Sequence, residues 1–239
     1  MMTKEYILLW LEGPLQSWGC ESKFGRRESL DFPTKSGVLG ITLAAMGAGG
    51  CQSELLSILG PLGMQVFCFA EGANDRGLNE PINKLVDFQV IGNGYLDKDP
   101  WQTMLIPKTT DGKKAVGGGS KLTYRTYIQD MAYAVIMEVP ADHAKWIADS
   151  LREPVWELSL GRKNCAPSEV IFQGRFGIQE DAKNKAIEIA KTKSRILTLS
   201  VYQNPPSKSH DIKVINDMPI QFGQEKSYRD RTVYLRYEN

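Results

Sequence analysis

Residues 132–139 read AYAVIMEV, apolar at every position but Glu138, and Pro140 ends the run. A run of this length and composition closed by proline is a strand with little to offer water. Ala141–Arg152 follows as an amphipathic helix with Ala144, Ile147, Ala148 and Leu151 on one side. Upstream, Tyr6–Leu11 reads as a buried strand, Gly13–Asp31 as a long irregular loop, Ser36–Gly47 as a helix, Ser53–Leu59 as a short helical turn and Gln65–Ala70 as a second strand. A short strand is expected at Trp156–Leu160 after the second helix. The order strand, helix, strand, long insertion, strand, helix, strand is a split βαβ pattern. It predicts an α+β fold with an antiparallel sheet and its helices on one face. Beyond Arg162, strands at Glu169–Phe176, Arg195–Tyr202 and Thr232–Tyr237 and a helix near Asp181–Lys191 suggest a smaller β-rich unit. The expected division is therefore 1–161 and 162–239.

The insertion, Asn74–Leu122, is rich in Gly, Asn, Asp, Pro and Lys. A structureless loop of that length inside a compact domain is uncommon and usually functional. Lys84–Gly92 and Lys121–Ile128 are able to pair as the stem of a projecting hairpin spanning about residues 84–126. Gly117–Gly118–Gly119–Ser120 would be a flexible hinge on its return side.

The net charge is +1, so a partner has to be sought in local charge. Lys23, Arg26, Arg27 and Lys35 form one basic group; Lys98, Lys108, Lys113, Lys114, Lys121 and Arg125 a second; Arg162 and Lys163 a third; Lys226, Arg229 and Arg231 a fourth. Any one of them alone is a solvated face. Interleaved with Phe24, Trp101, Tyr124, Tyr127 and Tyr228, they suit a single-stranded nucleic-acid path.

The stretch FPTKSGVLGITLAAMGAGG, residues 32–50, carries two readings. Pro33 forces an extended entry, Thr34 and Ser36 are N-cap candidates, and the helix after them is apolar nearly all round. Gly37 in the first turn invites a close approach. One reading is a phosphate cradle made of exposed N–H groups, the helix dipole and Lys35. The other is a capped core helix packed tightly on a neighbouring strand.

Catalytic and metal-binding patterns are sparse. Cys20, Cys51, Cys68 and Cys165 are scattered without a CxxC pair, which argues against zinc and fits free thiols in a reducing cytoplasm. His143 and His210 are the only histidines; the first sits in an amphipathic helix and the second beside Lys208 in a Pro/Ser/Lys loop. There is no Walker loop, and neither a signal peptide nor a membrane span is expected. Neither a metal nor any other cofactor is expected.

At larger scale the chain resembles the CasD family of type I-E CRISPR Cascade subunits, within the RAMP superfamily. The resemblance lies in Gly13-Pro14-Leu15-Gln16-Ser17-Trp18-Gly19, Phe32-Pro33-Thr34-Lys35-Ser36-Gly37, Thr123-Tyr124-Arg125-Thr126-Tyr127-Ile128, Leu160-Gly161-Arg162-Lys163-x-Cys165 and Pro219-x-Gln221-Phe222. It implies a ferredoxin-like (RRM-like) RAMP domain with an inserted hairpin thumb and a small β-rich C-terminal domain. It also implies a non-catalytic, cytoplasmic, prokaryotic subunit that caps the 5′ handle of crRNA for antiviral defence. Such a subunit contacts the Cascade backbone and large subunits, meets target DNA only through the complex, and needs no membrane. RNA-binding residues would be Gln16, Trp18, Lys23, Arg26, Arg27, Pro33, Thr34, Lys35, Ser36, Gly37, Lys108, Lys113, Lys114, Lys121, Tyr124, Arg125, Tyr127, Arg162 and Lys163. The alternatives are a metal-independent endoribonuclease that processes CRISPR repeat RNA and a small-ligand-binding α+β protein.

Overall fold

The computed structural model describes residues 3–19, 25–72, 82–91, 98–105, 108–113, 121–203 and 211–238. The chain runs β1 (Lys4–Glu12), four two-residue strands β2 (Leu15–Gln16), β3 (Trp18–Gly19), β4 (Arg26–Arg27) and β5 (Ser29–Leu30), then helices α1 (Lys35–Ala45) and α2 (Ser53–Leu59) and strand β6 (Met64–Glu71). The insertion holds β7 (Lys84–Ile91), α3 (Pro100–Leu105) and β8 (Lys121–Gln129). After it come β9 (Ala132–Pro140), α4 (Ala141–Arg152), β10 (Phe172–Phe176), α5 (Gln179–Thr192), β11 (Arg195–Tyr202), β12 (Asp211–Gln221) and β13 (Ser227–Tyr237).

One seven-stranded sheet, in the order β10-β1-β9-β6-β11-β13-β12, organises the molecule, and its neighbours are antiparallel. β9 lies between β1 and β6, where its apolar run is covered from both faces. Alternation divides each central strand between two cores. Ile7, Leu9, Val66, Val135 and Met137 face α1 and α4, while Leu8, Trp10, Phe67, Ala134 and Ile136 face α5. The small side chains Ala182, Ala186 and Ala190 let α5 lie close on that second face.

Three expectations change here. Helices cover both faces, because strands apolar at successive positions leave no side for water. Trp156–Leu160 is not a strand: Leu160 N–H donates to Cys165 O and Leu160 O accepts from Ser17, closing a local loop instead. The edge place beside β1 is taken by β10. Nor does the sheet divide at 161/162, since β11 pairs directly with β6 and carries β13 and β12 with it. The expected hairpin stem is present, with β7 and β8 in register from Lys84↔Ile128 to Ile91↔Lys121. The expected hinge at Gly117–Ser120 lies outside the described residues. Among the described residues no helix is long and apolar enough to cross a membrane.

The far hairpin, β12–β13, is fastened to α1 by a buried ionic cluster. Thr34 caps α1 by accepting from Gly37 N–H at 3.1 Å. Asp217 of β12 reaches the same helix end, where its Oδ2 accepts from Lys35 N–H at 2.7 Å. Arg231 of β13 donates to both carboxylate oxygens, at 2.9 and 2.6 Å. Side-chain exposure is 3% for Arg231 and 2% for Asp217, so water does little to screen the pair. The Lys35 side chain is buried beside them, its ammonium donating to Leu62 O and to Gln203 Oε1.

Removing one member should leave the other charged and buried. We expect Asp217→Asn to cost about 3–5 kcal/mol in urea unfolding. A double replacement by apolar residues of similar volume should recover much of that loss. A cost below about 1 kcal/mol, the range of an exposed pair, would show that the cluster is solvated.

Burial, reinforced by the Arg231 charge, pushes the Lys35 amine down from its ordinary 10.5 to about 7, against the opposing pull of Asp217 and Glu138. Between those values the unfolded chain binds the extra proton, so this group's contribution to stability rises as pH increases from about 7 towards about 10. Lys35→Met cannot titrate and should lack the rise. The stability difference should change by up to about 1.4 kcal/mol per pH unit in that window. Parallel curves for the two proteins would mean that Lys35 stays charged.

Candidate nucleic-acid interface

β8 forms the root of the arm because it is paired on both sides. β7 runs along one edge, and the other is met antiparallel by β2 and parallel by β4. The parallel register sets Arg26 opposite Tyr124 and Arg27 opposite Arg125, joining two basic groups far apart in sequence. Arg26 lies over the Tyr124 ring at 5.3 Å, and Phe88 packs against the same ring at a centroid distance of 5.2 Å.

The third basic group arrives on the loop after Leu160. Gly161 has φ +92°, and a Cβ there would stand 1.8 Å from Ser17 O, so only glycine fits this turn. Cys165 N–H closes the loop by donating to Arg162 O at 2.8 Å. The turn delivers Arg162 to the arm: its Nη2 donates to Arg27 O at 2.8 Å and its guanidinium lies 4.8 Å from the Tyr127 ring centroid. Asn164 Nδ2 donates to the Tyr127 hydroxyl at 3.0 Å. Arg26 thus stands with Tyr124 on one face of the arm root, while Arg27, Arg125 and Arg162 gather on the other, and among the described residues they make no ion pair. Uncompensated guanidinium groups beside exposed aromatic rings suit phosphates and unstacked bases.

Other residues expected at the RNA point inward. Gln16 is buried and donates to Leu11 O and Met131 O. Trp18 is fully buried and meets Tyr133 edge-on. Pro33 and Thr34 are buried, and Ser36 is half-buried with its hydroxyl on Thr34 Oγ1. A Cβ on Gly37 would stand 3.0 Å from the Trp18 ring, so it is Trp18 that comes close to this glycine. Lys35 is 1% exposed. The phosphate cradle is thus corrected to the capped-helix reading, because the anion at the helix terminus is the chain's own Asp217. Tyr127 is 1% exposed, which leaves Tyr124, at 38%, as the accessible tyrosine of the pair.

Lys108, Lys113 and Lys163 are exposed, with Thr109 N–H donating to Lys113 O across a turn. Lys121 begins β8 opposite Ile91. Lys23, Lys114, Phe24, Cys20 and His210 lie outside the described residues. His143 pairs through Nδ1 with Asp142 Oδ1 at 2.9 Å in the first turn of α4. Burial pushes the Cys68 and Cys165 thiols up, away from the thiolate. Among the described residues no group of His, Cys, Asp or Glu is placed to hold a metal. Sequence reasoning missed Phe88 and Asn164 at this site. Phe88 was legible in KLVDFQVI once that run was paired with β8; Asn164 had no local signal.

The family model described as CRISPR-associated protein (Cas_Cas5) matches residues 6–234. The CRISPR system Cascade subunit CasD of Escherichia coli (strain K12) is 24% identical over 176 residues, 72% of this chain and 71% of that protein. A chain of a CRISPR RNA-guided surveillance complex superimposes with a TM-score of 0.69 at 24% identity, covering 97% of this chain and 89% of that one. A solved Cas protein gives 0.52 at 21% identity, covering 98% and 93%. Through a family match that spans nearly all of its length, the chain belongs to the Cas5 family of CRISPR-associated proteins.

Proposed function

We propose that this chain is a non-catalytic, RNA-binding and assembly subunit of a type I-E-like Cascade complex in the prokaryotic cytoplasm, where it holds the 5′ handle of crRNA. The observation that carries the reading is that the arm root gathers four guanidinium groups with no ion pair among the described residues, Arg26 beside the exposed rings of Phe88 and Tyr124 and Arg27, Arg125 and Arg162 on the opposite face. The similarity to CasD, a Cascade subunit by name, supports the same reading. The strand order β10-β1-β9-β6, with helices in the β1-to-β6 and β9-to-β10 connections, supports a ferredoxin-like RAMP domain. On α3, Trp101 and Met104 are 76% and 64% exposed, which suits docking of the arm on the backbone subunit. The large subunit is the second protein partner in this reading, and target DNA is met through the assembled complex.

Two measurements test it. In anisotropy titrations with single-stranded CRISPR repeat RNA, Arg26→Ala, Arg125→Ala and Arg162→Ala should each weaken binding. For each phosphate that a variant no longer neutralises, the salt slope should flatten by about 0.7. Lys35→Met, if folded, should leave that slope unchanged, since its amine is internal. Unaltered slopes in all three arginine variants would sink the interface. In the second measurement, repeat RNA incubated with the protein without metal should stay intact. Specific cutting abolished by His143→Ala or His210→Ala would establish the endoribonuclease instead.

A further inference from the structure

The arm's stem has one face more specifically furnished than phosphate binding requires. Residues opposite each other in an antiparallel ladder share a face, so Phe88 stands beside Tyr124 and Val86 beside Thr126. The short parallel pairing with β4 brings Arg26 to Tyr124, and two residues further on Glu28 reaches Thr126. Arg26 lies 5.3 Å from the Tyr124 ring, while Glu28 Oε2 accepts from the Thr126 hydroxyl at 3.0 Å. Phe88 is 52% and Tyr124 38% exposed, so this aromatic pair is not used by the chain's own core. The stem therefore presents a two-ring surface with a guanidinium at one side and an exposed carboxylate near by. A carboxylate has about four acceptor positions, and Thr126 occupies one of them.

The geometry points to a nucleobase site on this face, formed by Phe88, Tyr124, Arg26 and Glu28, that selects an unstacked base carrying an exocyclic amino group. This inference rests on the RNA-binding reading above and adds a discrimination to it. Any base has a π-face able to stack on an aromatic ring, which gives affinity without sequence preference. Arg26 supplies charge for the adjoining phosphate and a planar edge against Tyr124. Glu28 supplies the selection. Cytosine, adenine and guanine each present amino N–H donors that a carboxylate accepts. The Watson–Crick edge of uracil has carbonyl oxygens on both sides of its one N–H, so a carboxylate placed there meets lone pairs. An apolar protein surface would cover the two rings, but it would leave Arg26 and the remaining acceptor positions of Glu28 unpaired. The cation and the carboxylate therefore favour a base over a protein side chain.

The experiment compares fluorescein-labelled eight-nucleotide oligo(C) and oligo(U) RNA, both weakly stacked pyrimidines, with the full chain at fixed salt. Wild type should bind oligo(C) about tenfold more tightly than oligo(U). Glu28→Gln, whose amide donates as well as accepts, should reduce that ratio to less than about twofold with the oligo(C) salt slope unchanged. Phe88→Ala should weaken binding of both RNAs by about tenfold, because the bases have less ring to stack on. Circular dichroism should be unaltered, since the ring is half out of the fold. Equal affinity for the two RNAs in wild type, or a ratio that survives Glu28→Gln, would overturn the base site while RNA binding itself stands. If Phe88→Ala leaves both affinities intact and instead blocks assembly with the other complex subunits, the face is a protein interface and the assignment fails. Absence of salt-dependent binding to either RNA would overturn the inference together with the reading beneath it.

Discussion

A carboxylate at a helix terminus governs how the two ends of this chain meet. Asp217 accepts from Lys35 N–H at the start of α1 while Arg231 grips both of its oxygens. A helix N-terminus favours a negative charge, and a buried carboxylate needs a full set of donors, so each satisfies the other. The fit fixes the β12–β13 hairpin against the helix layer and shuts the N-terminus of α1 away from outside ligands. Burial of Lys35, together with the charges of Arg231 and Arg229, works against its ammonium form. The anion site at this helix end is thereby closed, and the candidate interface lies on the arm.

That interface is assembled by backbone geometry before any side chain is considered. The parallel β4–β8 pairing aligns Arg26 and Arg27 with Tyr124 and Arg125, and the positive-φ turn at Gly161 swings Arg162 onto Tyr127. At the C-terminal end of β1, Glu12 anchors the sheet by accepting from Trp10 and Arg195. Burial alone would raise its carboxyl, but those hydrogen bonds and the charges of Arg195 and Lys193 hold it below the usual range. The arm thus projects from a framework whose own charges are largely matched. Unmatched guanidinium groups gather at its root.

Much of this was legible in the sequence where the signal was local. AYAVIMEV became β9, Arg195–Tyr202 became β11 with the expected bounds, and the stem of the arm paired as its two runs suggested. The misses share a physical cause, which is dependence on partners far along the chain. Lys35 followed by Ser36 and Gly37 suits a phosphate cradle as well as a capped core helix until Asp217, 182 residues away, claims the helix end. The small face of α5 did not reveal which side of the sheet it would cover, and β12 shows no alternation strong enough to mark it beside its proline and charges. Gln16 and Trp18 sit in a motif that suggests RNA binding, yet their buried hydrogen bonds and ring packing are what shape the arm's root.

The position of β11 at the side of β6 has a consequence for how the chain is made. Strands β10, β1, β9 and β6 are complete once the polypeptide has been synthesised through Phe176, but the strand that covers the β6 edge begins only at Arg195. Until then a nascent sheet carries an apolar, unpaired border, the kind of surface that recruits stray strands. The same delay leaves the start of α1 without its carboxylate, since Asp217 emerges later still. The β12–β13 hairpin therefore completes α1, and its late arrival sets an interval in which the growing chain is exposed to misassembly.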